Sequence, residues 1–372
     1  MKSSSIAAII LAAGFSTRMA TFKPLLTING ETITDLVIST YRQNGIAVYL
    51  VTGYESDKLL SSIKNHDIQI VENSDYRSGM FGSIQAGISH LPADTDFFFV
   101  APVDVPLVRS FTIRRMIEKA EADPGKIIYP EFKGTRGHPA LIPMLVAPAI
   151  LAWEMKGGLK GALDSREDLA LEFAVPDRYT LMDIDSPEDY TMLLDGFSHY
   201  QVPTTEECGV ILNEVARVSP EVLRHCLKVA DVAENIGQAI TASFVNLDQE
   251  AIRSGALLHD ILKGQPDHAA AGGRWLSEMG FSGITEIVSA HTDLPAGMRD
   301  TSLEAKVVYL ADKYVSGDSI VPLEERFQFS MRNFGSDAAV KTEILKRQKQ
   351  ALAVKNEIEK LLRRLLDGIV FS

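Results

Sequence analysis

Two kinds of apolar spacing divide the chain. From residue 6 to about residue 197, short continuous apolar runs alternate with stretches of helical spacing. Ile6–Leu11 is an unbroken aliphatic run, Ala47–Thr52 and residues 68–72 are strand-like, and residues 96–101, with Phe97, Phe98, Phe99 and Val100 in a row, read as a buried strand. Between them, residues 33–44 (stopping at Gly45), 57–64, 83–91 and 112–122 predict helices. This alternation predicts a Rossmann-like α/β domain, a mostly parallel sheet covered by helices on both faces. Ligands of such sheets bind in the loops beyond the carboxyl ends of the strands.

Past residue 204 the strand signals stop and helical spacing takes over. Residues 220–236, 249–262, 269–279, 284–290, 303–315 and 340–366 all suit helices, which predicts an all-α C-terminal domain. The expected division is a first domain over 1–200, a linker over 201–208 and a second domain over 209–372. Within that linker, Pro203-Thr204-Thr205-Glu206 reads equally as a helix start.

Composition supports this picture and narrows it. The chain has 372 residues, 46% hydrophobic and 23% charged, which is ordinary globular usage and long enough for two cores. Its formal charge is -12, and the acidity is shared: 18 basic against 25 acidic residues in 1–203, 19 against 24 in 204–372. Neither half is a basic module, so nucleic acid and anionic membrane are excluded as bulk electrostatic partners. A phosphate-bearing substrate must then be held by local devices: a metal, a few basic side chains or backbone N–H groups. Two cysteines, Cys208 and Cys226, make no disulfide framework and suit a reducing, cytoplasmic setting. The N-terminal apolar run is too short for a secretory signal and enters a Gly turn directly, and no run reaches the roughly 20 apolar residues of a membrane span.

The chemistry of the first half begins at the end of its first strand. Leu11-Ala12-Ala13-Gly14-Phe15-Ser16-Thr17-Arg18-Met19, followed by Lys23, is a small-residue turn with two cations. Such a turn lets backbone N–H groups approach a triphosphate while Arg18 and Lys23 neutralise it; a tight strand-to-helix turn with surface cations is the plainer alternative. Asp104, in Pro102-Val103-Asp104-Val105-Pro106, follows the most apolar strand, where a Mg²⁺ ligand for a nucleotide belongs. Asn73, Gly79-Met80 and Ser83 lie in a loop before a helix. Asp183-Ile184-Asp185-Ser186-Pro187-Glu188-Asp189 adds further carboxylates, although Ser186 or Asp185 can simply cap the helix that opens at Pro187.

Taken in order, Leu11-Ala12-Ala13-Gly14-x-Ser16-x-Arg18-Met19-x-x-x-Lys23, Gly79-Met80-x-x-Ser83, Asp104-x-Pro106, Arg136-Gly137-His138-Pro139 and the segment from Asp183 to Asp189 resemble the signature of the MobA-like nucleotidyltransferases, in particular the molybdenum cofactor cytidylyltransferase type. The resemblance covers about the first 195 residues. Ala20 departs from it, since the family usually has Gly there. The resemblance implies transfer of a nucleoside monophosphate from its triphosphate to a phosphate-bearing acceptor, a molybdopterin-type cofactor, with release of pyrophosphate, and a molybdoenzyme as client. It implies Leu11, Ala12, Ala13, Gly14, Arg18, Lys23, Gly79 and Ser83 around the nucleotide, Asp104 and Asp185 on Mg²⁺, and His138 towards the acceptor, with a locally bonded loop histidine as its alternative. An acceptor phosphate is already ionised near neutral pH, so alignment and charge neutralisation by Mg²⁺, Arg18 and Lys23 suffice as catalysis. Ala13 replaces a glycine usual in guanylyl-transferring relatives, and its methyl favours the smaller base, hence CTP over GTP.

In the second half, the four histidines after residue 204 and two aspartates sit at helix borders: His225, His259-Asp260, His268, His291 and Asp312. A carboxylate in the apolar stretch around Asp312 is costly to bury unless it is paired or bound to a metal. The order His225…His259-Asp260…Asp312 resembles the HD-domain phosphohydrolases over roughly residues 209–330, with Ala290-His291-Thr292 and Tyr309-Leu310-Ala311-Asp312 pointing to the branch that cleaves nucleotide polyphosphates. The resemblance implies that His225, His259, Asp260 and Asp312 bind one divalent metal (Mn, Fe, Zn or Mg), that His268 and His291 serve a second with Asp260 bridging, and that Lys263 steadies a phosphate. Lys263 as a solvated cation at a helix end is the alternative. Two further readings stay open: a transferase for another acceptor such as a sugar phosphate, and an HD domain that senses a nucleotide without turnover.

Overall fold

The run Ile6–Leu11 forms a strand hydrogen-bonded in parallel on both sides, to Ala47–Thr52 and to Phe97–Pro102. Ala8, Ile9 and Ile10 are wholly enclosed, which is why the run shows no polar alternation. The computed structural model describes residues 4–15, 19, 21–64, 67–154, 156–295 and 300–371. It divides after Ser198 into two compact units.

In the first unit, eight strands of the described residues make one sheet. Gln69–Glu72, Ala47–Thr52, Ile6–Leu11 and Phe97–Pro102 are parallel neighbours. Ala140–Pro143 then runs antiparallel between Phe97–Pro102 and Ile127–Phe132, and Ala170–Ala174 closes the far edge in parallel with Ile127–Phe132. The short strand Thr135–Arg136 pairs with Ile127–Phe132. The mostly parallel α/β expectation holds, with two strands reversed, Ala140–Pro143 and the short Thr135–Arg136. Of the strands after residue 122, Ile127–Phe132 and Ala140–Pro143 are buried apolar runs that carry a proline each, Pro130 inside the first and Pro143 at the end of the second, and Ala170–Ala174 is a half-buried edge strand. The helix Met80–Ser89 lies close on the sheet because Gly87 offers no side chain; a Cβ there would stand 2.4 Å from Ile9 Cγ2.

The second unit is helical apart from a small hairpin, Val315–Ser316 with Ser319–Ile320. Its helices include Pro220–Thr241, Gln249–Leu258, His268–Glu278, Thr285–Ala290, Leu303–Lys313, Leu323–Phe334 and Ala338–Leu362. The expectation of a linker over 201–208 needs correction. Thr205–Val210 is a helix, opened by a capping box in which Thr204 Oγ1 accepts from the Glu207 N–H and Glu207 accepts from the Thr204 N–H. Ser254 Oγ donates to the Pro203 carbonyl at 2.6 Å, so this segment is packed into the helical unit. The helix expected to reach residue 262 ends at Leu258. The imidazole of His259 donates from Nδ1 to the Ala256 carbonyl at 2.7 Å, taking the acceptor that the next helical turn would use. No helix of the described residues is long and apolar enough to cross a membrane.

Candidate functional site

The first site lies where the parallel strands end. The Leu11–Gly14 turn is clamped by its neighbours: Ala12 N–H donates to the Val51 carbonyl at 2.9 Å, Tyr54 N–H to Ala13 at 3.2 Å and Val103 N–H to Leu11 at 3.3 Å. The turn lines a cleft of about 350 Å³, and Leu11, Ala12, Ala13, Gly14, Lys23, Gly79, Ser83, Asp104 and Asp185 all reach it. Arg18 and Ala20 lie outside the described residues.

Lys23 Nζ sits between the carboxylates, 2.8 Å from Asp185 and 3.5 Å from Asp104. The two loops that carry these aspartates are tied by the Ile184 N–H, which donates to the Asp104 carbonyl at 2.9 Å. Ser186, not Asp185, caps the helix Pro187–Ser198: Ser186 Oγ accepts from the Asp189 N–H at 3.2 Å, while the Asp189 carboxylate accepts from the Ser186 N–H and hydroxyl at 2.7 and 2.8 Å. Desolvation pushes the Asp104 carboxyl above its ordinary pKa, and Lys23 opposes this. Carboxylate oxygens on a phosphate-sized cleft suit Mg²⁺, which commonly takes one or two carboxylates and fills its remaining positions with water and substrate phosphate.

Opposite Lys23, the helix Met80–Ser89 opens at Gly79, which has φ +108° and caps with no side chain. Gly79 and Met80 line the cleft, so bare N–H groups and the positive end of the helix dipole meet it. Ser83 is held from behind by the Asn73 side-chain N–H at 2.9 Å. Phe15 and Tyr76, with ring centroids 5.2 Å apart, give the cleft an aromatic wall that apolar spacing did not signal.

A second cavity of about 630 Å³ shares Leu11, Met80 and Pro102 with this cleft and contains His138. His138 N–H donates to the Thr180 carbonyl at 2.8 Å, which fixes the loop. Desolvation lowers the pKa of the imidazole, with Asp104 and Asp183 pulling the other way. Lys160 also lines this cavity. The sequence reading passed over it, although Gly157-Gly158-Leu159-Lys160-Gly161 is a glycine-rich segment of the kind that approaches anions.

The second site belongs to the helical unit and brings together the expected histidines and aspartates. Asp260 stands at its centre. Its Oδ2 is 3.5 Å from His259 Nε2 and 3.7 Å from His225 Nε2, and its Oδ1 is 3.2 Å from His268 Nε2 and 3.4 Å from His291 Nε2. Asp312 Oδ1 is 3.1 Å from His225 Nε2 and 3.7 Å from His259 Nε2. Two triads, His225/His259/Asp260 and Asp260/His268/His291, each gather their ligand atoms within 4.8 Å.

Backbone carbonyls orient three of these rings. His225 Nδ1 faces the Gly317 carbonyl at 2.8 Å, His259 Nδ1 that of Ala256 at 2.7 Å and His291 Nδ1 that of Val288 at 2.7 Å. A proton on each Nδ1 satisfies the carbonyl and leaves each Nε2 lone pair aimed at the centre. There His259 Nε2 is buried without a hydrogen-bond partner. Burial works against ionisation of Asp260, but His259, His268 and His291 hold its pKa far below the usual carboxylate range. Asp312 is likewise held well below that range, by Lys313 and His225 against the effect of burial. An orphaned imidazole nitrogen beside ionised carboxylates is the donor set of a divalent cation, and the residues fit one or two such ions. Lys263 Nζ lies 2.5 Å from Asp260 Oδ2. The same cleft is lined by Arg326 and Arg347, neither singled out by the sequence, because single arginines on polar helix faces resemble any solvated cation.

Comparison with known proteins agrees with this division. Residues 8–169 match the MobA-like NTP transferase domain and residues 222–317 the HD domain. The molybdenum cofactor cytidylyltransferase of Escherichia coli K12 is 30% identical over 188 residues, covering 50% of this chain and 94% of that protein. A probable molybdenum cofactor guanylyltransferase of Natranaerobius thermophilus is 26% identical over 132 residues, 35% of this chain and 62% of that protein. Among solved structures, Rv0371c of Mycobacterium tuberculosis H37Rv has 24% identity and a TM-score of 0.48, covering 52% of this chain and all of that one.

Proposed function

Because this chain belongs to the MobA-like NTP transferase family and carries an HD domain behind it, we propose that its first unit moves CMP from CTP to a molybdopterin-type cofactor and that its second is a metal-dependent phosphohydrolase. The observation that carries the transferase reading is the convergence of the Leu11–Gly14 turn, Lys23, Asp104, Asp185 and the bare helix start at Gly79 on one cleft that adjoins the His138 cavity. The triphosphate lies along the turn and the helix start, and the acceptor phosphate enters from the His138 side.

Asp104 and Asp185 would hold Mg²⁺, which would supply charge neutralisation on the phosphates. Lys23 contributes a second positive charge from the protein, and the Gly79 and Met80 N–H groups donate to phosphate oxygens. The acceptor phosphate is its own nucleophile, so the protein aligns it with the α-phosphorus and no general base is required. Its attack breaks the bond to the pyrophosphate leaving group. His138, kept neutral by desolvation, donates one hydrogen bond to the acceptor without adding charge. The Ala13 methyl in the cleft favours cytosine over guanine.

The test is incubation of the full chain with molybdopterin, Mg²⁺ and each of CTP, GTP, ATP and UTP. The expected result is a pterin dinucleotide and pyrophosphate, fastest with CTP. No product with any triphosphate would overturn the transferase reading. For the HD unit, the His259→Ala/Asp260→Ala variant is expected to lose divalent metal by elemental analysis, and full metal content would overturn the ligand assignment. A client molybdoenzyme that receives the product is part of the same reading.

A further inference from the structure

The two clefts differ in what they offer a base. The transferase cleft presents Phe15, Tyr76, Met80 and Leu11, an apolar wall on which a nucleobase can lie. In the HD cleft, among the described residues, Val222 is the one large apolar side chain, and no aromatic ring other than the histidines lines it. Its remaining lining is the histidine–aspartate centre with Lys263, Lys313, Arg326 and Arg347, together with Glu221, Thr292 and Gly317.

These cations are not equivalent. Lys313 is 2.7 Å from Asp312, Lys263 is 2.5 Å from Asp260, and Arg347 makes a two-pronged contact with Asp293 at 2.9 and 2.7 Å. Arg326 has no acidic partner among the described residues. Its Nε is buried with no hydrogen-bond partner, and its Nη1 reaches only the Ser330 hydroxyl at 3.4 Å. Arg326 stands on Leu323–Phe334 and Arg347 on Ala338–Leu362, both beyond the residues that match the HD domain. This chain therefore adds an arginine with spare donors to a centre that already suits one phosphoryl group. Arg326 lines the cleft half-buried and without an acidic partner among the described residues, and such a guanidinium is the complement of a second phosphate oxyanion.

We infer that the HD cleft takes inorganic diphosphate, one phosphoryl group at the histidine–aspartate centre and the other on Arg326, and hydrolyses it. The inference rests on the phosphohydrolase reading proposed above. It places the second unit after the first in sequence: nucleotidyl transfer releases diphosphate, and its cleavage draws the transfer forward. The step balances as diphosphate plus water giving two orthophosphates. The water oxygen bonds to one phosphorus and keeps one proton, the bridging P–O bond of that phosphorus breaks, and the water's other proton ends on the former bridging oxygen.

The test uses the full chain in a Lys23→Ala/Asp104→Ala background, which disables the transferase cleft, with Mn²⁺ present. Calorimetry compares methylenediphosphonate, methylphosphonate, CMP and ADP, and orthophosphate release from diphosphate is measured separately. Methylenediphosphonate is expected to bind about tenfold tighter than methylphosphonate or CMP, with ADP no tighter. Arg326→Gln is expected to remove about tenfold of that affinity and to leave methylphosphonate unchanged, and Arg326→Lys to restore part of it. ADP binding tighter than methylenediphosphonate would mean that a nucleoside is read, and would overturn the inference. So would equal affinity for the two phosphonates; if p-nitrophenyl phosphate is then cleaved, the phosphohydrolase reading survives alone. The expected binding without orthophosphate release would overturn the hydrolytic step and leave the ligand class standing; absence of p-nitrophenyl phosphate cleavage as well would remove the phosphohydrolase reading with it.

Discussion

At the residue scale, Lys23 is the cation that the transferase cleft uses twice. It compensates Asp104 and Asp185 at 3.5 and 2.8 Å, and in the proposed mechanism it supplies positive charge to an incoming triphosphate. Lys23→Met keeps much of the side-chain volume and removes only the charge. The expected outcome is a loss of about a hundredfold in kcat/KM for nucleotidyl transfer, the scale set by deleting one transition-state donor, with the circular dichroism spectrum unchanged. Pyrophosphate release measures it, and a loss below about threefold would remove Lys23 from the mechanism. A second residue, Asp367, shows the same electrostatics in a structural role. Its carboxylate accepts from Lys355 at 2.7 and 2.8 Å and from the Tyr314 hydroxyl at 2.6 Å. Burial works against its ionised form, but Lys355 and Tyr314 prevail and hold its pKa below the ordinary value. A depressed carboxylate contributes stability above the unfolded-state pKa and loses it as the pH falls through the folded-state value. Asp367→Asn is therefore expected to cost about 1 kcal/mol near neutral pH, allowing for its half-exposed position, and progressively less below about pH 4. Thermal unfolding across that range checks it: a cost that stays constant with pH assigns the effect to shape rather than charge.

At the element scale, legibility in the sequence followed unbroken apolar spacing rather than burial alone. Ile6–Leu11 and Ala47–Thr52 are enclosed by the sheet and its helices, so their apolar runs are continuous and their bounds can be read directly. Ala170–Ala174 is a half-buried edge strand, whereas Ile127–Phe132 and Ala140–Pro143 are buried but carry Pro130 and Pro143, which argue against a strand in an interior sheet position. The helix Leu323–Phe334 escaped for a related reason: it buries little beyond Leu323 and Phe327, too narrow a stripe to register. Pro203-Thr204-Thr205-Glu206 is legible both as a linker and as a helix start, and the capping box between Thr204 and Glu207 decides for the helix. Thr204→Ala removes the side-chain acceptor for the Glu207 N–H and is expected to cost about 1 kcal/mol, read as a lower Tm of the helical unit. Thr204→Ser, which keeps the hydroxyl, is expected to retain most of the stability; equal loss in both variants would assign the effect to packing of the methyl group.

At the scale of the whole molecule, the sequence exposed each site where its chemistry is concentrated in short motifs. The Leu11–Gly14 turn, Asp104 and His259-Asp260 each fall in a few residues whose types are costly to place elsewhere. Arg326 and Arg347 come to the HD cleft from isolated positions on separate helices, and only folding brings them there. The division after Ser198 then has a thermodynamic consequence. Ligands that bind only the native state raise its stability in proportion to the logarithm of their concentration over Kd. The proposed function directs CTP with Mg²⁺ to the first unit and Mn²⁺ at low concentration to the histidine–aspartate centre of the second. Differential scanning calorimetry of the full chain is therefore expected to show two transitions. Chelation lowers one, and CTP–Mg²⁺ raises the other. At about a hundred times Kd the stabilisation amounts to about 2.7 kcal/mol, which is several degrees for a domain of this size. The His259→Ala/Asp260→Ala variant is expected to abolish the Mn²⁺ shift and to keep the CTP shift, and Asp104→Ala the reverse. A single transition that answers to both ligands in every variant would mean that the two units unfold as one, and the assignment of each ligand to its own unit would lose its thermodynamic support.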